Sequence, residues 1–250
     1  PYLQYIEKVW ITFQLLYCLK DLKEMEIIHG DLKPENILLT SNLSVYISDI
    51  ATYKPGFISM DDISNYTYFF GTNKNDNLTG CYFAPERILD KGEKTDKSKT
   101  FAMDVFSVGL IIAELFLEKN IFDFPQLLNY KKKNIDYDNI DELLAKIPEN
   151  ICKIIKDMIK INPRERITIK EALDRFSNEI CPITMTGFLL HFNFAVNSTV
   201  FWKPDLIIGF LYRYWIPVWK MMFGPDDPPS ILYQQLNLAI INKIILENPF

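Results

Sequence analysis

Histidine and cysteine are scarce in this sequence: 250 residues hold two histidines, His29 and His191, and four cysteines. Cys18, Cys81, Cys152 and Cys181 stand far apart with no C-x-x-C pair, so the pattern argues against zinc and for reduced thiols. Long apolar runs are missing as well. The most apolar stretch, residues 206–219, carries Arg213 and Pro217 and is shorter than the roughly 20 residues a spanning helix needs. There is no excess of basic charge, since the formal net charge is −5, and nucleic acid is not an expected partner. The one basic run, Lys131-Lys132-Lys133, reads as a solvated loop. No signal peptide and no internal repeat are visible, and the expectation is a protein on the cytosolic side.

What is present is ordinary globular composition, 48% hydrophobic and 24% charged, enough for a sizeable core. Residues 2–24 read as a helix whose stripe is Ile6, Trp10, Phe13 and Tyr17, widened by Val9, Leu16 and Leu19. Two short strands, 37–39 and 45–48, follow around the turn-like residues 40–44, and 50–83 show little periodicity. Beyond residue 84 the reading is helical. The strongest helix, 102–118, is apolar nearly all round and so should run through the centre of the domain. Further helices are expected near 138–146, 150–160 and 168–177, with a boundary around 178–186. The aromatic-rich tail is broken at Pro225-Asp226-Asp227-Pro228-Pro229, after which Ser230 is placed to cap a last helix, 231–246.

Chemistry concentrates in "IIHGDLKPENILLTSNLSVYISD", residues 27–49. Asp31 follows an apolar pair, and Lys33 stands two residues on, where a cation can neutralise charge on a transferring phosphoryl group. Asn36 and Asp49 bracket the hairpin and offer an amide oxygen and a carboxylate, hard ligands suited to Mg²⁺. A base, a cation and two magnesium ligands are the parts phosphoryl transfer needs, because positioning and charge stabilisation do most of that work.

This arrangement resembles the catalytic loop and magnesium loop of protein kinases, H-R-D-L-x-x-x-N and D-F-G. The loop reads His29-Gly30-Asp31-Leu32-Lys33-Pro34-Glu35-Asn36, and the magnesium loop reads Asp49-Ile50-Ala51. An A-P-E motif stands at Ala84-Pro85-Glu86, "DVFSVG" begins at Asp104, and "NPRERIT" offers Arg166 to pair with Glu86. By this resemblance residues 1–178 form the larger lobe of a kinase, mainly α with short β-hairpins. The resemblance implies roles: Asp31 as base, Lys33 on the γ-phosphate, Asn36 and Asp49 on Mg²⁺, and Leu38 under the adenine of ATP. Lys33, Thr79 and Tyr82 follow the serine/threonine pattern, with a protein as substrate. His29 is expected as a backbone brace, Asp104 as a support of the catalytic loop, and the cysteines as inert.

Two departures stand out. Gly30 replaces the arginine that elsewhere reads activation-loop phosphate, and Ala51 replaces the magnesium-loop glycine. With "SDIATYKP", "NYTYFFGT", "CYFAPER" and "IFDFPQLLNY", they resemble the vacuolar protein-sorting kinases, regulatory subunits of the class III phosphatidylinositol 3-kinase complex. That resemblance implies a helical extension over 187–250 that begins a helical-repeat region. It also implies the class III lipid-kinase catalytic subunit and autophagy adaptor subunits as partners. The site of action implied is cytoplasmic and peripheral, on endosomal, vacuolar or autophagic membranes reached through the complex. An alternative in a different class is a pseudokinase scaffold of such a complex, with little turnover. Only 28 residues precede His29, so the glycine-rich loop and strand lysine of a smaller lobe are expected upstream of Pro1. Alone, the chain is expected to be catalytically silent.

Overall fold

The computed structural model describes residues 3, 5–40, 43–50, 54–59, 80–93, 100–132 and 137–180. Expectations for Ala51, Thr79, Cys181, Ser230 and the extension 187–250 lie outside those residues. Contacts divide the chain into one unit of Pro1–Leu39 and Val45–Ile180 and another of Thr40–Ser44 and Cys181–Phe250.

The first unit contains, among the described residues, six helices and four short strands. In chain order these are α1 (Tyr5–Glu24), β1 (Ile37–Leu39), β2 (Val45–Ile47), β3 (Ile58–Ser59) and β4 (Ile88–Leu89). They are followed by α2 (Thr100–Leu117), α3 (Phe124–Lys131), α4 (Tyr137–Leu144), α5 (Glu149–Met158) and α6 (Ile169–Glu179). No helix among the described residues is long and apolar enough to cross a membrane.

α2 is the centre. Val105, Phe106, Val108, Leu110, Ile112 and Ala113 are each at most 2% exposed, so burial surrounds the helix as a sequence apolar nearly all round predicts. Each large side chain buried there contributes about 1.5–3 kcal/mol relative to exposure. α2 packs on α1 and α5, and α6 packs on both α1 and α5. Gly109 sets how closely α5 approaches. A Cβ at that position would lie 2.9 Å from both Met158 Cβ and Ile159 Cγ2. Gly109→Ala should therefore destabilise the unit by about 1–2 kcal/mol, because overpacking outweighs the gain in helix propensity. Chemical denaturation checks this, and an unchanged or raised stability would contradict it.

α1 corrects the amphipathic expectation. Residues 8–16 are buried on every side, while Tyr17, placed on the inner stripe by periodicity, is 38% exposed. A helix can bury its polar turn because the polar groups find partners. Lys8 pairs with Glu118 at 2.8 Å, Thr12 Oγ1 donates to the Lys8 carbonyl, and Gln14 Oε1 accepts from Val45 N–H at 3.1 Å.

The remaining ends follow local chemistry. Thr168 and Glu171 form a capping box on α6, whose Ile169, Ala172, Leu173 and Phe176 face inward at helical spacing. Helix α3 was missed by periodicity, although Asp123 and Gln126 form a second capping box in "DFPQ". Lys131 closes α3 and is not a solvated loop residue. Its ammonium pairs with Asp90 at 2.8 Å and Glu93 at 3.3 Å and donates to the Ile88 carbonyl.

Only one hairpin forms among the described residues, β1–β2, in antiparallel register with Ile37 opposite Ile47 and Leu39 opposite Val45. In the turn, Leu43 N–H donates to the Thr40 carbonyl at 2.9 Å. The other pair, β3–β4, is parallel, with Ile58 opposite Ile88. Neither strand was legible, since each is two residues long and β4 falls where the sequence reads as helix.

Candidate phosphoryl-transfer site

α1 ends in a turn that aims the chain at the site. Ile27 N–H donates back to the Leu22 carbonyl at 2.9 Å, and Glu26 takes the left-handed conformation, φ +59°. The catalytic-loop segment then lies across the buried start of α2. Asp104 accepts from two successive backbone groups, His29 N–H at 2.8 Å and Gly30 N–H at 3.0 Å. Burial pushes the Asp104 carboxyl up, and these two N–H donors oppose the shift.

His29 is fully buried and braces both sides of the loop. Its Nε2 donates to the Ser48 carbonyl at 2.8 Å, and its Nδ1 accepts from Asp31 N–H at 3.3 Å. With both ring nitrogens committed to backbone in the Nε2–H tautomer, the ring has no nitrogen left to act as a base. Gly30 sits at φ +75° with nothing near its Cβ position, so backbone conformation and not crowding favours glycine there.

Asp31 is 4% exposed. Its carbonyl accepts from Asn36 Nδ2 at 2.8 Å, and Asn36 in turn is positioned by the single 3-10 turn Pro34–Asn36 that opens β1. The Asn36 carbonyl accepts from Ser48 N–H at 2.9 Å and from Ser48 Oγ at 3.2 Å. These bonds bring the end of β2, and hence Asp49, beside Asn36. Asp49 is exposed and left-handed, φ +61°, a conformation that Asp tolerates better than most residues. Leu38 and Tyr46, paired across the hairpin, present 52% and 56% exposed side chains on its outer face. The structure thus gathers Asp31, Lys33 and Asn36, and Asp49 follows directly on Ser48, which bonds the Asn36 carbonyl.

The Asp31 carboxylate carries more charge contacts than the motif foretold. Lys33 Nζ is 3.4 Å from Oδ2, as the two-residue spacing implies, but Lys54 Nζ is closer at 2.5 Å. Arg87 is a second residue that sequence reasoning missed. It donates to the Gly30 carbonyl, and its second terminal nitrogen donates to the Pro55 carbonyl at 2.8 Å. Its guanidinium also lies over the Phe83 ring, 4.7 Å from the centroid. Burial pulls Arg87 down to about 10, with Asp31 and Asp104 opposing, so it stays charged at neutral pH. Lys54 stands in "SDIATYKP" and Arg87 in "CYFAPER", yet no spacing rule marks either of them.

Glu86 and Arg166 form the ion pair expected from the sequence, in fork geometry at 2.7 and 3.0 Å. Tyr82 is drawn onto α2: its hydroxyl bonds Glu114, and Ser107 Oγ donates to its carbonyl at 2.7 Å. Burial and the neighbouring Glu114 push the Tyr82 hydroxyl upward, so it is a donor and not a titrating group at neutral pH. Cys81 and Cys152 are buried free thiols; burial raises both, Cys81 to about 11. Neither is a reactive thiolate near neutral pH.

The donor set of Asn36 and Asp49 fits Mg²⁺, an oxygen-seeking ion usually held by few protein groups plus substrate phosphates. Comparison with known families matches residues 5–176 to the protein kinase domain. The chain is 39% identical over 195 residues to the serine/threonine-protein kinase VPS15 of Arabidopsis thaliana, covering 76% of this chain and 13% of that protein. It is 36% identical over 203 residues to a putative serine/threonine-protein kinase VPS15 of Komagataella pastoris, covering 79% and 15%. With the serine/threonine-protein kinase VPS15 of Saccharomyces cerevisiae the identity is 36% over 189 residues, covering 73% and 13%. In each case the match takes up less than a sixth of the relative's length.

Proposed function

The chain belongs to the protein kinase family, and from that premise we propose that it is the larger lobe of a serine/threonine kinase of the VPS15 type. The observation that carries the reading is the buried Asp31, braced through its backbone by His29 and Asn36 and flanked by two ammonium groups. Asp31 accepts the proton of a serine or threonine hydroxyl as that oxygen bonds the γ-phosphorus of ATP and the bond from that phosphorus to the β-phosphate oxygen breaks, with ADP as the leaving group. Lys33 turns to the γ-phosphate, where its charge offsets the negative charge on the transferring group. Asn36 and Asp49 hold Mg²⁺, which when bound neutralises phosphate charge, and Leu38 lies under the adenine.

By the same family likeness, the partners proposed are a class III phosphatidylinositol 3-kinase catalytic subunit and autophagy adaptor subunits, with peripheral placement on endosomal, vacuolar or autophagic membranes. Residues 187–250 are proposed to begin a helical-repeat region. A scaffold with little turnover is the second reading. Gly30 favours it, since the usual phosphate-reading arginine has no counterpart at that position.

Magnesium dependence separates these readings. With the full-length protein, serine- or threonine-containing substrate should be labelled, and Asp49→Asn should raise the Mg²⁺ needed for half-maximal transfer by at least about tenfold. An unchanged requirement would show that Asp49 is not a ligand, and no transfer by the wild type would favour the scaffold.

A further inference from the structure

Asp31 is held by the backbone on both sides, but backbone bonds do not fix a carboxylate's own rotation. His29 accepts from its N–H, Asn36 donates to its carbonyl, and Asp104 and Arg87 hold the N–H and carbonyl of Gly30. Only the side-chain torsions remain, and two cations act on them. Both approach the same oxygen, Oδ2.

The two are not equivalent. The Lys33 side chain is 28% exposed and stands 3.4 Å away, a loose contact from a residue with a second task on the phosphate. Lys54 is 8% exposed and donates a charge-assisted hydrogen bond at 2.5 Å. Its own backbone is anchored as well. Arg87 grips the adjacent Pro55 carbonyl at 2.8 Å, and three residues past Pro55 the chain pairs with β4 at Ile58. One guanidinium therefore joins the residue before Asp31 to the residue after Lys54.

We infer that Lys54 is a positioning residue of the phosphotransfer site: it fixes Oδ2 of Asp31, leaving Oδ1 to meet the substrate hydroxyl, while Arg87 locks the two backbones together. Lys33 is thereby released to follow the γ-phosphate without the base losing its orientation. The role rests on the phosphotransfer reading given above.

The test uses the full-length protein with Lys54→Met, Lys54→Arg and Asp31→Asn. Because misplacement of a reacting group by about 1 Å can cost about a hundredfold, Lys54→Met should lower kcat by about ten- to a hundredfold with KM for ATP unchanged. Lys54→Arg should recover part of the loss, since it keeps a donor and a charge. Hydrogen exchange provides a readout independent of turnover. Amides of residues 56–59, whose segment loses its anchor on Asp31, should exchange faster in Lys54→Met, while those of 29–36, held by their own backbone bonds, and those of α2 and α5 keep wild-type protection and show that the fold is intact. A kcat in Lys54→Met equal to or above the wild type would overturn the inference, the latter by making Lys54 a block on the base. If the wild type transfers no more phosphate than Asp31→Asn, the phosphotransfer reading fails and exchange alone decides. Faster exchange confined to 56–59 then upholds the pairing of Lys54 with Asp31, and unchanged exchange overturns it.

Discussion

Asp31→Asn should lower phosphotransfer by the full-length protein about 10²–10⁴-fold, the range a positioned general base contributes. Asparagine keeps the shape of the side chain but cannot accept the hydroxyl proton as a carboxylate does. The rate effect should not come from collapse of the loop, since its main bonds bypass this side chain. Asp31 N–H goes to His29, its carbonyl accepts from Asn36, and the preceding residues are held by Asp104. Some stability is lost, because Lys54, 8% exposed, is left beside a neutral amide. KM for ATP should change little, as the proposed nucleotide contacts lie on other residues. Steady-state kinetics on wild type and variant measure all of this, and a variant within about threefold of the wild-type kcat would remove Asp31 from the role of base.

The second large effect is on folding. Arg166→Met should destabilise the unit by about 3–5 kcal/mol, the cost of leaving one half of a buried pair uncompensated. The Arg166 side chain is fully buried and its partner Glu86 only 11% exposed. The guanidinium serves more than that carboxylate. It donates to the Lys160 carbonyl at 2.8 and 3.0 Å and to the Ala102 carbonyl at 2.5 Å, and it stacks over Phe106, 5.0 Å from the centroid. It therefore ties the turn Pro85–Arg87, the start of α2 and the connection between α5 and α6 into one knot. Methionine fills part of the volume but leaves Glu86 and the carbonyls without their donor. In a long protein unfolding is not one transition, so the measurement is hydrogen exchange across α2 and α5, read as local opening energies. A change under about 0.5 kcal/mol, typical of an ordinary surface substitution, would contradict the account.

The parts legible in the sequence share a physical property: their meaning lies in spacing along the chain. Lys33 reaches Asp31 because it is two residues away, and Asn36 reaches back to the Asp31 carbonyl through a single turn. α2 was legible because a helix apolar on most faces has nowhere to lie but the interior. The Glu86–Arg166 pair spans 80 residues and was readable only through the resemblance of whole motifs. Lys54 and Arg87 had no such guide. They meet the catalytic loop across 23 and 57 residues of chain, and a single lysine or arginine carries no periodicity. The same limit hid the bonds of Lys131, whose partners Asp90 and Glu93 lie about forty residues upstream. Pattern also failed on α1, where tertiary burial on all sides overrode the apparent stripe and turned Tyr17 outward.

The proposed work of this arrangement is transfer of phosphate to a hydroxyl side chain. The most direct measurement is label transfer from γ-labelled ATP by the purified full-length protein, followed by identification of the labelled amino acid, with Asp31→Asn prepared in parallel. Mg²⁺-dependent phosphoserine or phosphothreonine is expected in the wild type and near-background label in the variant. Equal labelling by the two proteins, or label on tyrosine alone, would contradict it.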